Sequence, residues 1–152
     1  MSLKEEILGM AEKIYLYGAE MLERGGSVPW MALIVTMDAS PGGSYQAEVL
    51  SLPENKKEAK NLIVSKARAA NAVAVIMLGE AYMTKLTERN SEKFEVFYAA
   101  LRLYDESLAI KAARIVRENG KPSIRDRISL GHTEEGRIIA NILPSWNARA
   151  YV

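Results

Sequence analysis

Residues Ala72 to Thr84 read AVAVIMLGEAYMT, an apolar run broken by one carboxylate, Glu80, and resuming at Ala81, Tyr82 and Met83. A run this long and this rich in β-branched residues has the pattern of a strand buried on both faces. It commits the chain to a sheet with something packed on each side. It also sets one charge at the mouth of a buried strand.

The flanking segments supply the layers. Ser2 and Glu5 have capping-box spacing, and Leu3, Ile7, Met10, Ile14, Tyr17 and Met21 follow every three or four residues. That predicts an amphipathic helix ended by Gly25-Gly26, with Tyr15 and Leu16 off its main stripe. Pro29 to Met37 has the composition of a buried strand, residues 38–43 are turn-forming, and Tyr45 to Leu50 alternates, which together predict a hairpin. Ser51, Pro53 and Glu54 predict a helix start. The helix runs to about Ala70, with Ala59, Leu62, Ile63, Ala67 and Ala70 on one side and Lys56, Lys57, Lys60, Lys66 and Arg68 on the other. A strand–helix–strand order of this kind predicts that the Tyr45 and Ala72 strands run parallel.

Residues 85–92 predict a polar loop. Phe94, Phe97, Leu101 and Tyr104 have helical spacing, which predicts a helix from Glu92 to Tyr104. Beyond it two readings stand. One long helix could run on to Asn119-Gly120. Alternatively Ser107 to Arg117 is a strand that turns at Asn119-Gly120 and pairs with Ser123 to Leu130. The strands are preferred, because Ile124, Ile128 and Leu130 alternate with Arg125, Arg127 and Ser129 and need a partner. Thr133 to Gly136 predicts a turn into a further strand, Arg137 to Leu143. The expected fold is a single α+β domain over residues 1–152. Its sheet is mixed, mostly antiparallel, with five or six strands and two or three helices packed on it.

The order of parts resembles a group of small uncharacterised bacterial, archaeal and phage proteins. The likeness rests on the Pro29–Met37 strand type, on Glu80-Ala81-Tyr82-Met83 at a strand end, and on Asp105-Glu106-Ser107-Leu108 before meandering strands. It covers most of residues 5–143. That group often carries tryptophan where this chain has Tyr82, and the segment from Met83 to Asp105 departs from it. The resemblance implies the strand reading of the second half and a prokaryotic setting. It implies no activity.

Composition removes whole classes of function. Net charge is +1, so no global field draws the chain to nucleic acid or anionic lipid. With no cysteine, disulfides, thiolate nucleophiles and thiolate zinc sites are excluded, which fits a cytoplasmic protein. No apolar run approaches the roughly 20 residues of a membrane span, and the N-terminus lacks a signal peptide's apolar core. No metal site and no cofactor are expected.

Four local features could carry chemistry. Glu80 could act in acid–base catalysis with Tyr82 as a proton donor; the competing reading pairs it with a cation at the sheet rim. His132 could serve as a lone general base, against the simpler reading of a turn histidine. Lys111, Arg114, Arg117, Lys121, Arg125 and Arg127 are opposed only by Glu118 and Asp126, and Arg125 and Arg127 would share a face of a hairpin. Arg117, Lys121, Arg125 and Arg127 are therefore the candidate nucleic-acid contacts, although aromatic residues for stacking are missing nearby. The apolar 94–104 segment is the fourth, with Phe94, Phe97, Tyr98 and Leu101 as a candidate subunit interface. The reading that follows is a non-enzymatic interaction module that forms a homo-oligomer, ahead of a nucleic-acid-binding protein and of a small acid–base enzyme centred on Glu80.

Overall fold

The computed structural model describes residues 2–37, 44–86, 91–130, 133–143 and 146. Among them are three helices, α1 (Leu3–Gly25), α2 (Lys56–Ala70) and α3 (Glu134–Ile142). Six strands complete the set: β1 (Met31–Met37), β2 (Tyr45–Ser51), β3 (Ala74–Leu86), β4 (Ser91–Leu103), β5 (Leu108–Glu118) and β6 (Lys121–Ile128). The strands form one sheet in the order β2-β1-β3-β4-β5-β6, and every neighbouring pair is antiparallel. The α+β class holds, with the sheet wholly antiparallel among the described residues rather than mixed. β2 and β3 do run the same way, but β1 lies between them.

β3 and β4 are the long central pair, and their side chains alternate into two cores. Val75 and Met77 of β3 join Val96, Tyr98 and Ala100 of β4 against Ala59, Ile63 and Ala67 of α2, Ile139 and Ile142 of α3, and Trp146. Ala74 and Ile76 join Leu101 and Leu103 on the opposite face, with Ile7 of α1. Leu78 and Phe97 continue that face against Tyr15 and Leu22. The sheet is thus a middle layer, with α1 on one side and α2 and α3 on the other.

Four expectations are corrected. The 92–104 segment is β4, not a helix. Its buried run Val96 to Leu101 is apolar at both parities because both faces are covered, and such a run contains helical spacings by chance. α2 starts later than expected: Asn55, not Ser51, is the N-cap, its side chain accepting the Glu58 N–H at 3.0 Å. Ser51 ends β2, and the β1–β2 ladder runs past it, with the Leu52 N–H donating to the Trp30 carbonyl. The Arg137–Leu143 segment is α3, capped by the Thr133 hydroxyl on the Gly136 N–H at 3.0 Å. In α1, Tyr15 is buried and Tyr17 exposed, the reverse of the stripe read from spacing.

The preferred strands of the second half are present. Asn119 (φ 53°) and Gly120 (φ 77°) both take the left-handed conformation that a type I′ hairpin turn needs. β3 and β4 extend to Leu86 and from Ser91, narrowing the expected 85–92 loop. Residues 87–90, the 38–43 turn and His132 lie outside the described residues.

α1 can lie close to the sheet because of Gly18. A Cβ there would sit 2.9 Å from the Phe97 ring and 3.4 Å from Leu78. Gly9, on the same helix, has nothing within 4 Å. Gly9→Ala should therefore gain about 0.5–1 kcal/mol from helix propensity alone. Gly18→Ala gains the same propensity but overpacks a closed core, for a net loss of about 1–2 kcal/mol. Urea unfolding reads both, and a stabilised Gly18→Ala would contradict the close approach.

Candidate functional site

β3 carries Ile76 and Leu78 under α1 and then delivers Glu80 where α1 ends. Gly26 closes the helix at φ 84°, its N–H returning to the Leu22 carbonyl at 2.8 Å, and the chain turns back over the sheet. There the Val28 N–H donates to Glu80 Oε2 at 3.3 Å. Arg117, at the far end of β5, reaches into the same place. Its Nη2 lies 3.5 Å from Glu80 Oε1, its Nε donates to Glu95 Oε2 at 2.7 Å, and its Nη1 donates to the Gly26 carbonyl at 2.9 Å. The Tyr82 hydroxyl donates to Glu95 Oε1 at 3.4 Å, and the Lys93 ammonium sits 5.8 Å from the Tyr82 ring centre.

One guanidinium therefore spans two carboxylates and the carbonyl of the residue that caps α1, a use that needs its planar fork of donors. The Glu95 hydrogen bond is the main cause that holds the Arg117 pKa above its ordinary value. Both Glu80 oxygens are engaged in tying the exit of α1 to the sheet. The structure gives Glu80 the rim pairing with a cation that competed with the catalytic reading.

Glu80 and Tyr82 also line a cavity of about 350 Å³, together with Trp30, Tyr98, Glu135 and Ile138. Gly79 leaves room for its back wall: a Cβ there would come within 2.7 Å of the Tyr98 hydroxyl and 2.9 Å of the Trp30 ring. Burial pushes the Tyr98 phenol up to about 12. Among the described residues no group of His, Cys, Asp and Glu side chains could hold a metal ion.

The basic residues of β5 and β6 do not form one face. Lys111 pairs with Glu12, Arg114 with Glu92 at 3.2 Å, and Arg117 with Glu95. Between the pairs Ala113–Arg127 and Ile115–Ile124 the register slips, so three steps along β6 match two along β5. This bulge puts Arg127 beside Ala113 on the α1 side, where its charge acts on Tyr15. Arg125 instead donates to Ser123 Oγ at 3.0 Å, away from Ile124 and the α1 side. The expected sharing of a face by Arg125 and Arg127 is thereby corrected. Lys121 stands exposed at the hairpin turn.

The candidate interface residues are also placed otherwise than expected. Phe97, Tyr98 and Leu101 are buried in the chain's own two cores, and Phe94 is half-buried with the Arg114 guanidinium 5.1 Å from its ring centre. A side chain already enclosed by its own domain has no surface to offer. The large apolar groups left in water lie elsewhere: Tyr17 is 66% exposed, Val49 60% and Tyr82 59%, with Leu8, Leu16 and Met37 also open.

Val49 stands opposite Leu33 of β1, and Tyr17 follows Ile14 by one turn of α1. α1 lies over β3, β4 and β6. It covers the same side of β1 and β2 only with its flank, where Leu33 and Tyr45 are half-buried against Leu3, Met10 and Ile14. The Tyr45 hydroxyl donates to Glu6 Oε2 at 2.6 Å and fastens β2 to the helix. Val49, four residues further along β2, is left open. Sequence reasoning missed this surface because Tyr17 was assigned to the core stripe. The available signal was the alternation Tyr45, Ala47, Val49 in a strand with a single charge.

Compared with known proteins, the chain matches no family model, no curated protein and no solved structure.

Two outcomes follow from these contacts. Arg117→Ala should cost about 1–2 kcal/mol in urea unfolding, since it frees two half-buried carboxylates and a helix-end carbonyl. Arg117→Lys should recover only part of it, because one ammonium cannot span all three acceptors. Equal stability of all three chains would show that the tie contributes nothing. Burial, then the Glu6 hydrogen bond, raises the Tyr45 pKa from 10 to about 12. The protonated form is the bonded one, so its contribution is complete below pH 10 and is lost as pH rises through 12. Tyr45→Phe lacks that contribution, and the stability gap between the two chains should close over pH 10 to 12. A gap constant with pH would contradict the assignment.

Proposed function

We propose that this chain is a non-enzymatic interaction module that self-associates. The observation that supports it most is the apolar surface left exposed on α1 and β2: Tyr17 is largely in water one turn from half-buried Ile14, and Val49 is largely in water opposite half-buried Leu33. Apolar area left in water forgoes about 25 cal/mol for each Å² that could be buried, so a contiguous exposed patch favours a partner surface.

Further features agree with this reading. The Glu80–Arg117–Glu95 cluster works as a structural tie, with its acceptors turned to the protein's own backbone and guanidinium. Of the four nucleic-acid candidates Arg117 is paired with carboxylates, as are the neighbouring cations Lys111 and Arg114. No described helix is long and apolar enough to cross a membrane. The absence of cysteine fits a reducing, cytoplasmic setting for such a module.

Light scattering coupled to size exclusion tests the reading. The expected mass is a multiple of 16.9 kDa, concentration-dependent and nearly unchanged between low and moderate salt, as apolar association requires. A mass of 16.9 kDa at every concentration would overturn it.

A further inference from the structure

The two edges of the sheet are treated differently by the sequence. An edge strand offers a row of unpaired N–H and C=O groups, and proteins that must stay apart block it with charges, proline or a bulge. β6 carries all three: Lys121, Pro122, Arg125, Asp126 and Arg127, and the slip in register against β5. β2, YQAEVLS, carries none but Glu48, and its register with β1 is unbroken from Tyr45 to Ser51. Gln46, Ala47, Glu48 and Val49 are all exposed.

The ladder with β1 fixes which β2 amides are free. The Leu52 N–H donates to the Trp30 carbonyl. In an antiparallel ladder bonded pairs alternate, so Leu50, Glu48 and Gln46 also face β1. The N–H and C=O groups of Tyr45, Ala47, Val49 and Ser51 point outward. The side chains of those same four residues lie on the α1 side, opposite Met37, Val35, Leu33 and Met31. Free backbone and exposed apolar side chains therefore coincide on one set of alternate residues.

Resting on the self-association reading, we propose that β2 is the interface and that its partner is β2 of a second copy, paired antiparallel about a two-fold axis through Ala47. The outward groups of alternate residues allow the register to change only in steps of two. Centring the pair on Glu48 would overlap the whole strand but set Glu48 against Glu48 of the other copy, a like-charge cross-strand pair. Centring on Ala47 avoids this. It places Tyr45 opposite Val49 of the second copy twice over, an aromatic on a β-branched residue. It puts Gln46 opposite Glu48, amide to carboxylate, on the face where Lys66 already approaches Glu48 at 3.4 Å. Ala47 meets Ala47 on the axis, where small side chains let the backbones close. The result is a continuous twelve-stranded sheet from two six-stranded ones, with the two apolar shelves side by side.

Single cysteines read the register, because the chain has none of its own. Bonded antiparallel pairs hold Cα atoms about 5.5 Å apart, within disulfide reach. Ala47→Cys should give a covalent dimer on mild oxidation. Val49→Cys should not, since four residues of offset separate the two cysteines by about 13 Å. Ala47→Pro removes an outward N–H without touching the ladder to β1, and proline is tolerated at such edge positions. It should yield a monomer whose urea midpoint, extrapolated to low concentration, matches the native chain. A monomeric native protein would overturn both this inference and the self-association reading. A dimer that survives Ala47→Pro, with no cross-link from Ala47→Cys, would overturn the β2 interface alone. Cross-linking by Val49→Cys instead would overturn the register.

Discussion

The long ladder between β3 and β4 is the constraint from which the rest follows. Both strands are apolar at consecutive positions, from Ala74 to Leu78 on one and from Val96 to Leu101 on the other, and all of those side chains are buried. Alternation along a strand sends half of them to each side, so neither face of the sheet can meet water. That single fact calls for a layer on each side. α1 supplies one, seated close because Gly18 lets the Phe97 ring reach its backbone. α2 and α3 supply the other, joined there by Trp146, whose indole N–H donates to the Ala72 carbonyl at 3.0 Å.

Helices, however, are narrower than sheets. α1 lies over β3, β4 and β6 and holds its ends by specific ties: Glu6 to Tyr45 at the start, Arg117 and Glu80 at the exit, Glu23 to the Ile124 N–H along the way. What it cannot cover is the outer side of β1 and β2. The exposed Val49 and Tyr17 are the remainder of that geometry. The opposite edge shows that exposure is not the general rule for this sheet. β6 is screened by charges, a proline and a bulge, and it is tied to α1 through Glu23. The open edge and the open apolar shelf are thus the same end of the molecule.

Much of the fold was legible in the sequence, and the failures have physical causes. α1 with its serine cap and glycine stop and the Asn119-Gly120 turn are legible because each rests on local chemistry: a side-chain oxygen on an orphan N–H, or a backbone that tolerates positive φ. β4 was misread because burial on both faces erases the alternation that marks a strand. α3 was misread because it is short and its cap, Thr133 with Gly136, looks like a turn. The bulge in β6 left no mark in the sequence, yet it decides that Arg125 and Arg127 part company. At the site, the sequence marks Glu80 as a charge at a strand end with a cation as one candidate partner, and it does not show that the cation is Arg117, which reaches it from β5. The shelf was missed for a reason of breadth: Met10, Ile14 and Tyr17 extend the apolar stripe of α1 beyond what one sheet face conceals, and spacing alone cannot say which margin stays open.

Amide hydrogen exchange along β2, followed as protein concentration rises, tests the central claim most directly. The account predicts two classes of amide in one strand. Gln46 and Glu48, bonded to β1, should be protected at every concentration, and Ala47 and Val49, which point outward, should become protected only as concentration rises. Free exchange at Ala47 and Val49 throughout would contradict it.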